Sequence, residues 1–475
     1  MVKADKVVIS VTMATVENED SVTKYECVCK IKKQNYNVIL TSTTLCYQAV
    51  DNKKGASSIR ISDIISVKLQ KSGDKDVLRI CYAQQQKKLK LKKCVLELTA
   101  DDFSCAEQLK YQLQQLIKED ARRPGSLLVI VNPISGRRKG PSIYTKIVAP
   151  LFEEAGIKTH VIVTEKAHHT EEILSTYDLK SINGLVLVGG DGTYHEAVNG
   201  LMRRLHREQG LDIDDVDSTV PDIQIPMGLI PTGTGNGIAL QCYGGYDPLT
   251  AALTIIIGFK AKYNMFSVHS DQRFIGYSIL LVGCAMWGDI IHVAENRRSQ
   301  GVLRYFTTMG QFGLSGRLRE CQYTVEYKTT EKNEDGTEGD KNKRIWKACT
   351  ETVVGGCIFS AWFDVPGVPS FADQGALILT KPCSRLSRVT FFFSLMTFDS
   401  NLLNRPEVIA LPGTEWKMCL NNRSEPTSET GILEHIINID GEPVTVPKPE
   451  YHIKFLPKKV TLFCNMSEVT GRPKT

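Results

Sequence analysis

Residues 184–196 carry side chains that could hold a phosphate and move a proton. They read Gly-Leu-Val-Leu-Val-Gly-Gly-Asp-Gly-Thr-Tyr-His-Glu, an apolar run that ends in glycines and is followed by an amphipathic helix pattern. Glycine lets the backbone approach an anion closely, and a helix N-terminus offers unpaired N–H groups. A carboxylate here would repel phosphate, so we expect Asp191 to bind a metal ion or to accept a proton from an attacking hydroxyl. Taken alone, the stretch fits equally well a turn in which Asp191 caps the helix.

Two more loops of similar composition follow apolar runs. The run 127–131 leads into residues 132–140, which include three cations, and the run 228–230 leads into residues 231–237, which are rich in Gly, Thr and Asn. Because the carboxyl ends of parallel strands meet at one edge of a sheet, the three loops can converge on one crevice. This pattern predicts a site for a nucleotide polyphosphate. Neither the P-loop motif nor the full dinucleotide-binding spacing is present.

The combination of loops resembles the diacylglycerol-kinase-like catalytic domain, the lipid kinase family that includes the sphingosine and ceramide kinases. The resemblance extends from about residue 127 to the C-terminus. It implies transfer of the γ-phosphoryl group of ATP to a primary hydroxyl, with Mg²⁺ as the metal. The matching segments are Asn132-Pro133, Ser135-Gly136, Thr164-Glu165, residues 189–193, Glu196, Asn199-Gly200, Pro231, residues 233–236 and residues 440–442.

The resemblance also implies roles for individual residues. Asp191 is expected to be the catalytic base, and Asp440 and Glu442 to place magnesium or water. From the residues alone, Asp440-Gly441-Glu442 fits equally well a hairpin turn. The expected ATP-binding residues are Asn132, Ser135, Gly136, Thr164, Gly189, Gly190, Gly192, Thr193, Gly233, Thr234, Gly235, Asn236, Arg298, Arg304, Asp440 and Glu442.

Two further assignments depend on residues 278–304. Arg298 and Arg304 bracket a glycine, as two phosphate-binding arginines do in the family, although a solvated basic face gives the same pattern. Asp289 and Ser278 are the expected lipid-binding residues. A buried ammonium needs a counter-charge, and Asp289 is the candidate for that role. We interpret His195, beside the Asp191 loop, as a helix-surface residue.

The identity of the acceptor lipid stays open at this point. Residues 233–236 and 195–201 resemble sphingosine kinases, whereas residues 147–152, 163–165 and 288–291 resemble ceramide kinases. The leading hypothesis is phosphorylation of sphingosine to sphingosine 1-phosphate, and the alternative is a ceramide kinase. A catalytically inactive lipid-binding regulator, or a soluble NAD or sugar kinase, would also fit the loops.

Composition narrows the class of protein. The chain has 475 residues and a net charge of +5, which does not predict nucleic-acid binding but suits contact with an anionic membrane surface. The 14 cysteines are scattered, without a secretory signal, and predict reduced thiols. No apolar run reaches the ~18 residues of a spanning helix. We therefore expect a cytoplasmic protein that associates peripherally with membranes, and the sequence does not predict an oligomeric state.

The predicted elements give an α+β multidomain fold class. Residues 1–122 form a small β-rich domain that resembles a pleckstrin-homology module, with short strands from residue 7 to residue 98 and one closing helix. Alternating strands and helices in 123–260 predict an α/β parallel-sheet nucleotide-binding domain. Residues 261–475 turn β-rich and are expected to form a β-sandwich that binds the lipid. Alternating Lys and Leu at 87–93 fits a lysine-protected edge strand or an anionic-lipid contact.

Overall fold

The computed structural model describes residues 23–50, 56–72, 75–86, 89–100, 102–301, 303–314, 318–330, 343–359, 374–396, 402–423 and 436–465. The chain divides into two compact units. The first comprises residues 1–83 and 93–121, and the second comprises residues 84–92 and 122–475. Each unit has its own hydrophobic core. The predicted strand at residues 7–11 lies outside the described residues.

The first unit is built from antiparallel strands and one helix. The strands form a sheet in the order β4-β3-β2-β1-β7-β6-β5, and apolar side chains of the helix, such as Leu109 and Leu113, are fully buried against it. The pleckstrin-homology likeness stays a prediction. The elements are β1 (Thr23–Ile31), β2 (Gln34–Thr41), β3 (Thr44–Ala49), β4 (Ser57–Arg60), a 3₁₀ turn (Ile61–Asp63), β5 (Ile64–Ser72), β6 (Lys75–Gln85), β7 (Leu91–Thr99) and α1 (Phe103–Glu119).

The second unit begins with alternating strands and helices. Its first strands are parallel and buried on both faces, as continuous apolar runs predict. The elements are β8 (Ser126–Val131), α2 (Gly140–Ile143), a π-helical turn (Tyr144–Val148), α3 (Ala149–Glu154), β9 (Lys158–Val163), α4 (His169–Thr176), a 3₁₀ turn (Leu179–Ser181), β10 (Gly184–Gly189), α5 (Asp191–Gln209), β11 (Ile223–Pro231), α6 (Gly237–Tyr243) and α7 (Pro248–Ile257).

The rest of the second unit is mostly antiparallel, with three further helices among the described residues. Its strands and helices are β12 (Lys260–Ser270), β13 (Arg273–Ser278), β14 (Leu281–Ala285), α8 (Met286–Glu295), α9 (Leu303–Leu314), β15 (Cys321–Thr330), β16 (Arg344–Val353), β17 (Gly355–Phe359), β18 (Gly375–Thr380), α10 (Arg385–Met396), β19 (Val408–Gly413), β20 (Glu415–Arg423), β21 (Ile436–Ile439), β22 (Glu442–Thr445) and β23 (Glu450–Phe463). Short 3₁₀ turns lie at Arg298–Gln300 and Leu402–Asn404.

Two sheets organise this second unit. One runs in the order β16-β15-β20-β23-β11-β10-β8-β9, with β12 and β13 beside β23, and the other runs β19-β18-β17-β14-β21-β22. Side chains from both sheets share one core, in which the ring of Phe266 packs against Trp416 and Phe455. The α/β part and the β-rich part of the predicted fold are confirmed. The lipid-binding role of the β-rich part stays a prediction.

The strand β23 joins the parallel and antiparallel parts. Its first half pairs antiparallel with β20, and its second half pairs parallel with β11, where Leu462 lies opposite Met227. On its other edge, β12 follows β23 along almost its whole length. The sheet that carries the predicted nucleotide site therefore includes a strand from the far end of the sequence.

One predicted element has the wrong type. Residues 389–393 were predicted to form a strand because they are β-branched or aromatic, but they lie inside the helix α10. Phe391 and Phe392 are buried there and pack against Trp287. An apolar run without alternation fits a buried helix as well as a strand, and the surrounding packing decides between them. Among the described residues, none of the helices has both the length and the apolar character needed to cross a bilayer.

Candidate active site

Three loops at the carboxyl ends of β8, β10 and β11 meet in the second unit. We call residues 132–140 the first loop, residues 189–193 the second and residues 231–237 the third. The N–H groups of Thr232 and Gly233 both donate to the Gly189 carbonyl, at 2.8 and 3.0 Å, and the Asp191 N–H donates to the Gly235 carbonyl at 3.1 Å. The predicted convergence of the second and third loops is therefore present as direct backbone contacts.

Glycines are required where these loops touch. A Cβ atom on Gly233 would overlap the Cα atom of Gly190, and one on Gly190 would lie 2.8 Å from the Gly235 carbonyl oxygen. Gly136 of the first loop has a φ of +55°, and a Cβ there would overlap the Thr232 carbonyl oxygen. Any larger residue would push the loops apart, so the glycine-rich composition follows from close backbone packing.

Side chains connect the first loop to the second. The Asn132 amide donates from Nδ2 to Thr193 Oγ1 at 3.1 Å, and the Asn132 N–H donates to the Val188 carbonyl at 2.9 Å. Ser135 and Gly136 lie on the open part of the first loop, where Arg137, Arg138 and Lys139 are exposed. Thr164 is buried at the end of β9, where its N–H donates to the Val131 carbonyl at 2.9 Å.

Asp191 is the first residue of α5 and lies at the centre of the three loops. Its carboxylate accepts hydrogen bonds from the N–H groups of Gly237, at 2.7 Å, and Ile238, at 3.1 Å. It therefore caps α6 rather than its own helix. Burial raises the pKa of Asp191 to about 6, against the two backbone hydrogen bonds, which lower it, and the nearby Asp440 carboxylate raises it further. A carboxylate with this pKa is ionised at neutral pH and basic enough to take a proton.

Asp440 is buried and fully engaged by protein donors. Its carboxylate accepts hydrogen bonds from the hydroxyl of Ser278 at 2.6 Å and from the N–H groups of Ile279, Leu280 and Leu281 at 2.8–3.0 Å. Burial alone would raise the pKa of Asp440, but hydrogen bonds from His195, Ser278 and Ile279 lower it below its ordinary value. Asp440 therefore stays ionised and holds the turn between β13 and β14.

Glu442 and His195 complete the polar surroundings of Asp191. A Cβ atom on Gly192 would lie 2.5 Å from Glu442 Oε1, so Glu442 packs directly on the second loop. The interpretation of His195 as a surface residue is wrong, because its Nδ1 lies 3.4 Å from Asp440 Oδ2 and its side chain is only 17% exposed. The distance of 245 residues in sequence between His195 and Asp440 hides this pair from sequence reasoning.

Arg304 lies close to the site but is already paired. Its guanidinium forms an ion pair with Glu295 at 2.8 Å and donates to the Tyr305 hydroxyl at 2.6 Å. The side chain of Arg298 lies outside the described residues. Tyr305 was not singled out from the sequence. Burial raises the pKa of its phenol, and the charges of Glu295 and Asp191 act in the same direction.

The two residues predicted to bind the lipid have protein partners. Ser278 is fully buried and donates its hydroxyl to Asp440. Asp289, in α8, is 5% exposed and pairs with Arg319 at 2.7 Å. Burial raises the pKa of Asp289 to about 6, while the Arg319 charge and hydrogen bond oppose that rise. Nothing in the local sequence pattern predicts Arg319, which is 30 residues away.

Comparison with known proteins agrees with this geometry. Residues 126–268 match the family model of the diacylglycerol kinase catalytic domain. The chain is 35% identical to the ceramide kinase of Homo sapiens over 193 residues, which are 41% of this chain and 36% of that protein. It is 32% identical to the sphingoid long-chain bases kinase 1 of Arabidopsis thaliana over 213 residues, 44% of this chain and 26% of that protein.

A solved structure supports the fold. A diacylglycerol kinase from Bacillus anthracis str. Sterne aligns with a TM-score of 0.50 and 16% identity, covering 73% of this chain and 99% of that one. The sequence matches span less than two fifths of the length of the mouse and human ceramide kinases. Residues 126–268 of this chain therefore form a diacylglycerol kinase catalytic domain, of the lipid kinase family that also contains the ceramide and sphingosine kinases.

Proposed function

We propose that this chain is a lipid kinase that transfers the γ-phosphoryl group of ATP to the primary hydroxyl of a sphingoid lipid. The position of Asp191 supports this proposal most strongly. A carboxylate with a pKa of about 6 lies where three glycine-rich loops meet, beside a helix N-terminus. This arrangement combines a proton acceptor with a surface for polyphosphate, which is what phosphoryl transfer to an alcohol requires.

The loops fit the phosphates of ATP in three respects. The first turn of α5 has N–H groups without intrahelical partners, and no side chain caps it. Thr232 Oγ1, in the third loop, is buried and has no hydrogen-bond partner among the described residues. The exposed cations of the first loop add positive charge. Arg304 fits less well, because it could reach a phosphate only by leaving Glu295 or through its Nε atom, which has no partner in the described part of the chain.

The residues present fit Mg²⁺ only in part. Asp440 accepts hydrogen bonds from four protein donors, so its oxygen atoms are not available as metal ligands without disrupting the β13–β14 turn. Glu442 is the better candidate, because it packs on the second loop. Mg²⁺ commonly keeps several water molecules and binds through substrate phosphates. We propose that ATP carries most of its ligands and that Glu442 contacts one of its waters.

The proton transfer can be assigned to Asp191. The acceptor hydroxyl oxygen forms a bond to the γ-phosphorus, the bond from that phosphorus to the β–γ bridging oxygen breaks, and ADP leaves. The hydroxyl proton passes to an Asp191 oxygen, each of which accepts one backbone hydrogen bond and keeps a free lone pair. These two bonds fix the direction of the carboxylate.

Sphingosine is our first candidate for the acceptor. Its ammonium needs an anionic partner in an apolar cleft, and Asp289 is buried and acidic. The ion pair between Asp289 and Arg319 favours ceramide as the second candidate, because the carboxylate is already neutralised and a ceramide amide carries no charge. Contact with an anionic membrane surface is part of the same proposal, since both lipids reside in bilayers.

A phosphorylation assay tests the proposal. Radiolabelled ATP would be supplied with sphingosine, ceramide, diacylglycerol or NAD, the lipids in mixed micelles, using the wild-type chain and Asp191→Asn. We expect label in one sphingoid lipid, and its loss in the variant. Label in no acceptor, from a protein that binds ATP, would favour an inactive regulator. Label in NAD alone would exclude the lipid kinase.

Asp289→Asn separates the two acceptors. If sphingosine is the substrate, this variant should lower the sphingosine rate more than the rate with any neutral lipid. If ceramide is the substrate, wild-type protein should prefer ceramide and the change in rate should be mild. Equal penalties on both lipids would indicate that Asp289 acts only through its ion pair with Arg319.

A further inference from the structure

Three cysteine thiols meet in the first unit, away from every residue discussed above. Along β1, Tyr25, Cys27 and Cys29 point to one face, because alternate side chains of a strand share a face. Cys29 is 2% exposed and Cys27 is half-buried, whereas Lys24, Glu26 and Val28 between them are exposed. Helix α1 packs on this face and brings Cys105, in its first turn, to the same point.

The sulfur atoms lie at metal-binding distances from one another. The Sγ atoms of Cys27 and Cys29 are 3.7 Å apart, and the three Sγ atoms all lie within 4.8 Å of one another. Four sulfurs placed ~2.3 Å from a tetrahedral zinc ion are ~3.8 Å apart, because the edge of a tetrahedron is about 1.6 times its centre-to-corner distance. The cluster thus has nearly the dimensions of three corners of such a site.

We propose that Cys27, Cys29 and Cys105 bind a soft d¹⁰ cation, Zn²⁺ or Cu⁺, that cross-links β1 to α1. Thiolate sulfur is the ligand that both ions prefer. No further His, Cys, Asp or Glu joins the group within the part of the chain that the structure describes. Three ligands suffice for trigonal Cu⁺, whereas Zn²⁺ needs a fourth ligand, which is water or the Tyr25 hydroxyl.

The surroundings of the cluster suit an anionic ligand set. Cys105 lies in the first turn of α1, a helix of 17 residues, and the partial positive charge at that helix end stabilises nearby negative charge. The Tyr25 hydroxyl donates to the Cys105 carbonyl at 3.4 Å, which places the phenol beside the sulfur atoms. The cross-link would join residues far apart in sequence, which is where such a link restricts the unfolded chain most. The site does not depend on the proposed kinase activity.

Metal analysis of the full chain tests the site. The reduced protein would be loaded separately with Zn²⁺ and with Cu⁺, freed of unbound ion, and analysed by mass spectrometry for bound metal. We expect about one ion per chain for one of the two metals, as a single site requires. Cys27→Ser and Cys105→Ser, which change half-buried residues, should each lower the affinity more than the roughly 10–100-fold cost of losing an outer-shell partner.

Cys46→Ser is the matched control. Cys46 is also a half-buried strand thiol of the first unit, but it pairs with Ile39 and lies outside the sulfur cluster. This variant should bind metal like the wild type. Binding of neither metal by the wild type, or equal loss in Cys46→Ser and Cys27→Ser, would overturn the site and leave the cysteines as core residues.

Cobalt gives a second readout that does not depend on stability. Co²⁺ in place of the native ion should produce the near-ultraviolet absorption of sulfur-to-cobalt charge transfer, with an intensity that falls in Cys27→Ser and Cys105→Ser. Tyr25→Phe should alter the visible cobalt bands if the phenol is the fourth ligand, and leave them unchanged if water fills that position. Absence of charge-transfer absorption from the cobalt-loaded wild type would contradict thiolate ligation.

Discussion

Replacing Asp191 with asparagine should make the protein more stable and nearly inactive. Ionised Asp191 is unfavourable in the folded protein, because burial raises its pKa from the ordinary 3.8 to about 6. This difference corresponds to about 3 kcal/mol of lost stability at neutral pH. Asparagine has nearly the shape of the protonated acid and carries no charge. Asp191→Asn should therefore raise the free energy of unfolding by roughly 1–3 kcal/mol, the lower figure allowing for an amide hydrogen that faces one of the two backbone donors.

The pH dependence gives the prediction a sign. A carboxyl whose pKa is raised on folding favours the folded state fully below pH 3.8, and this contribution is lost as the pH rises through 6. The stability difference between variant and wild type should therefore be largest above about pH 6 and fall to about half at pH 5. Other carboxyl groups titrate in both proteins, so their contributions cancel in the difference. Wild-type kcat/KM should fall about tenfold per pH unit below about pH 6, as the base becomes protonated.

Urea unfolding and the kinase assay measure the two effects separately. All four tryptophans lie at or beyond residue 287, so their fluorescence reports on the second unit. Turnover of Asp191→Asn should fall by roughly 10²–10⁴-fold, the scale of lost general-base catalysis, with ATP binding retained. A variant that is less stable than the wild type at pH 7.5 would refute the assignment of a buried, strained charge. Turnover like that of the wild type would refute the catalytic role.

Three further substitutions test the loops and their support. Gly233→Ala should raise the Michaelis constant for ATP at least tenfold by forcing the third loop from Gly190, whereas Gly245→Ala, where a Cβ meets nothing within 4 Å, should leave it unchanged. Asp440→Asn should cost roughly 2–4 kcal/mol in urea unfolding, because an acceptor of several hydrogen bonds is lost. It should also move the acidic limb of the wild-type pH–rate profile to lower pH, since the Asp440 charge raises the pKa of the catalytic aspartate. Asp289→Ala should cost about 3–5 kcal/mol, because its arginine partner is left buried without a counter-charge.

The sequence predicts the loops well because their signals are local. An apolar run, a glycine cluster and an amphipathic helix lie within 30 residues for the second loop, and similar signals mark the other two. Parallel pairing of the three strands then follows from their common pattern. The centre of the candidate site, Asp191 among glycines, could therefore be inferred before its contacts were known.

The support of the site could not be inferred, because it depends on distant pairs. His195 reaches Asp440 across 245 residues, and Arg319 neutralises a carboxylate whose role looked like that of a ligand. The cluster of Cys27, Cys29 and Cys105 likewise needs a helix packed on a strand 76 residues earlier. Residue types predict which side chains are capable of chemistry, but only packing decides which of them are already occupied.

The position of β23 has a consequence for synthesis of the protein. The ribosome makes β11 and β12 almost two hundred residues before Phe463, the last residue of the strand that lies between them. Until then, both strands have an unpaired edge, which is prone to pairing with other chains. We therefore expect the nascent second unit to require chaperone protection until translation is nearly complete. A nonsense codon shortly before residue 450 would leave every candidate catalytic side chain in place and still yield a polypeptide that aggregates or is degraded.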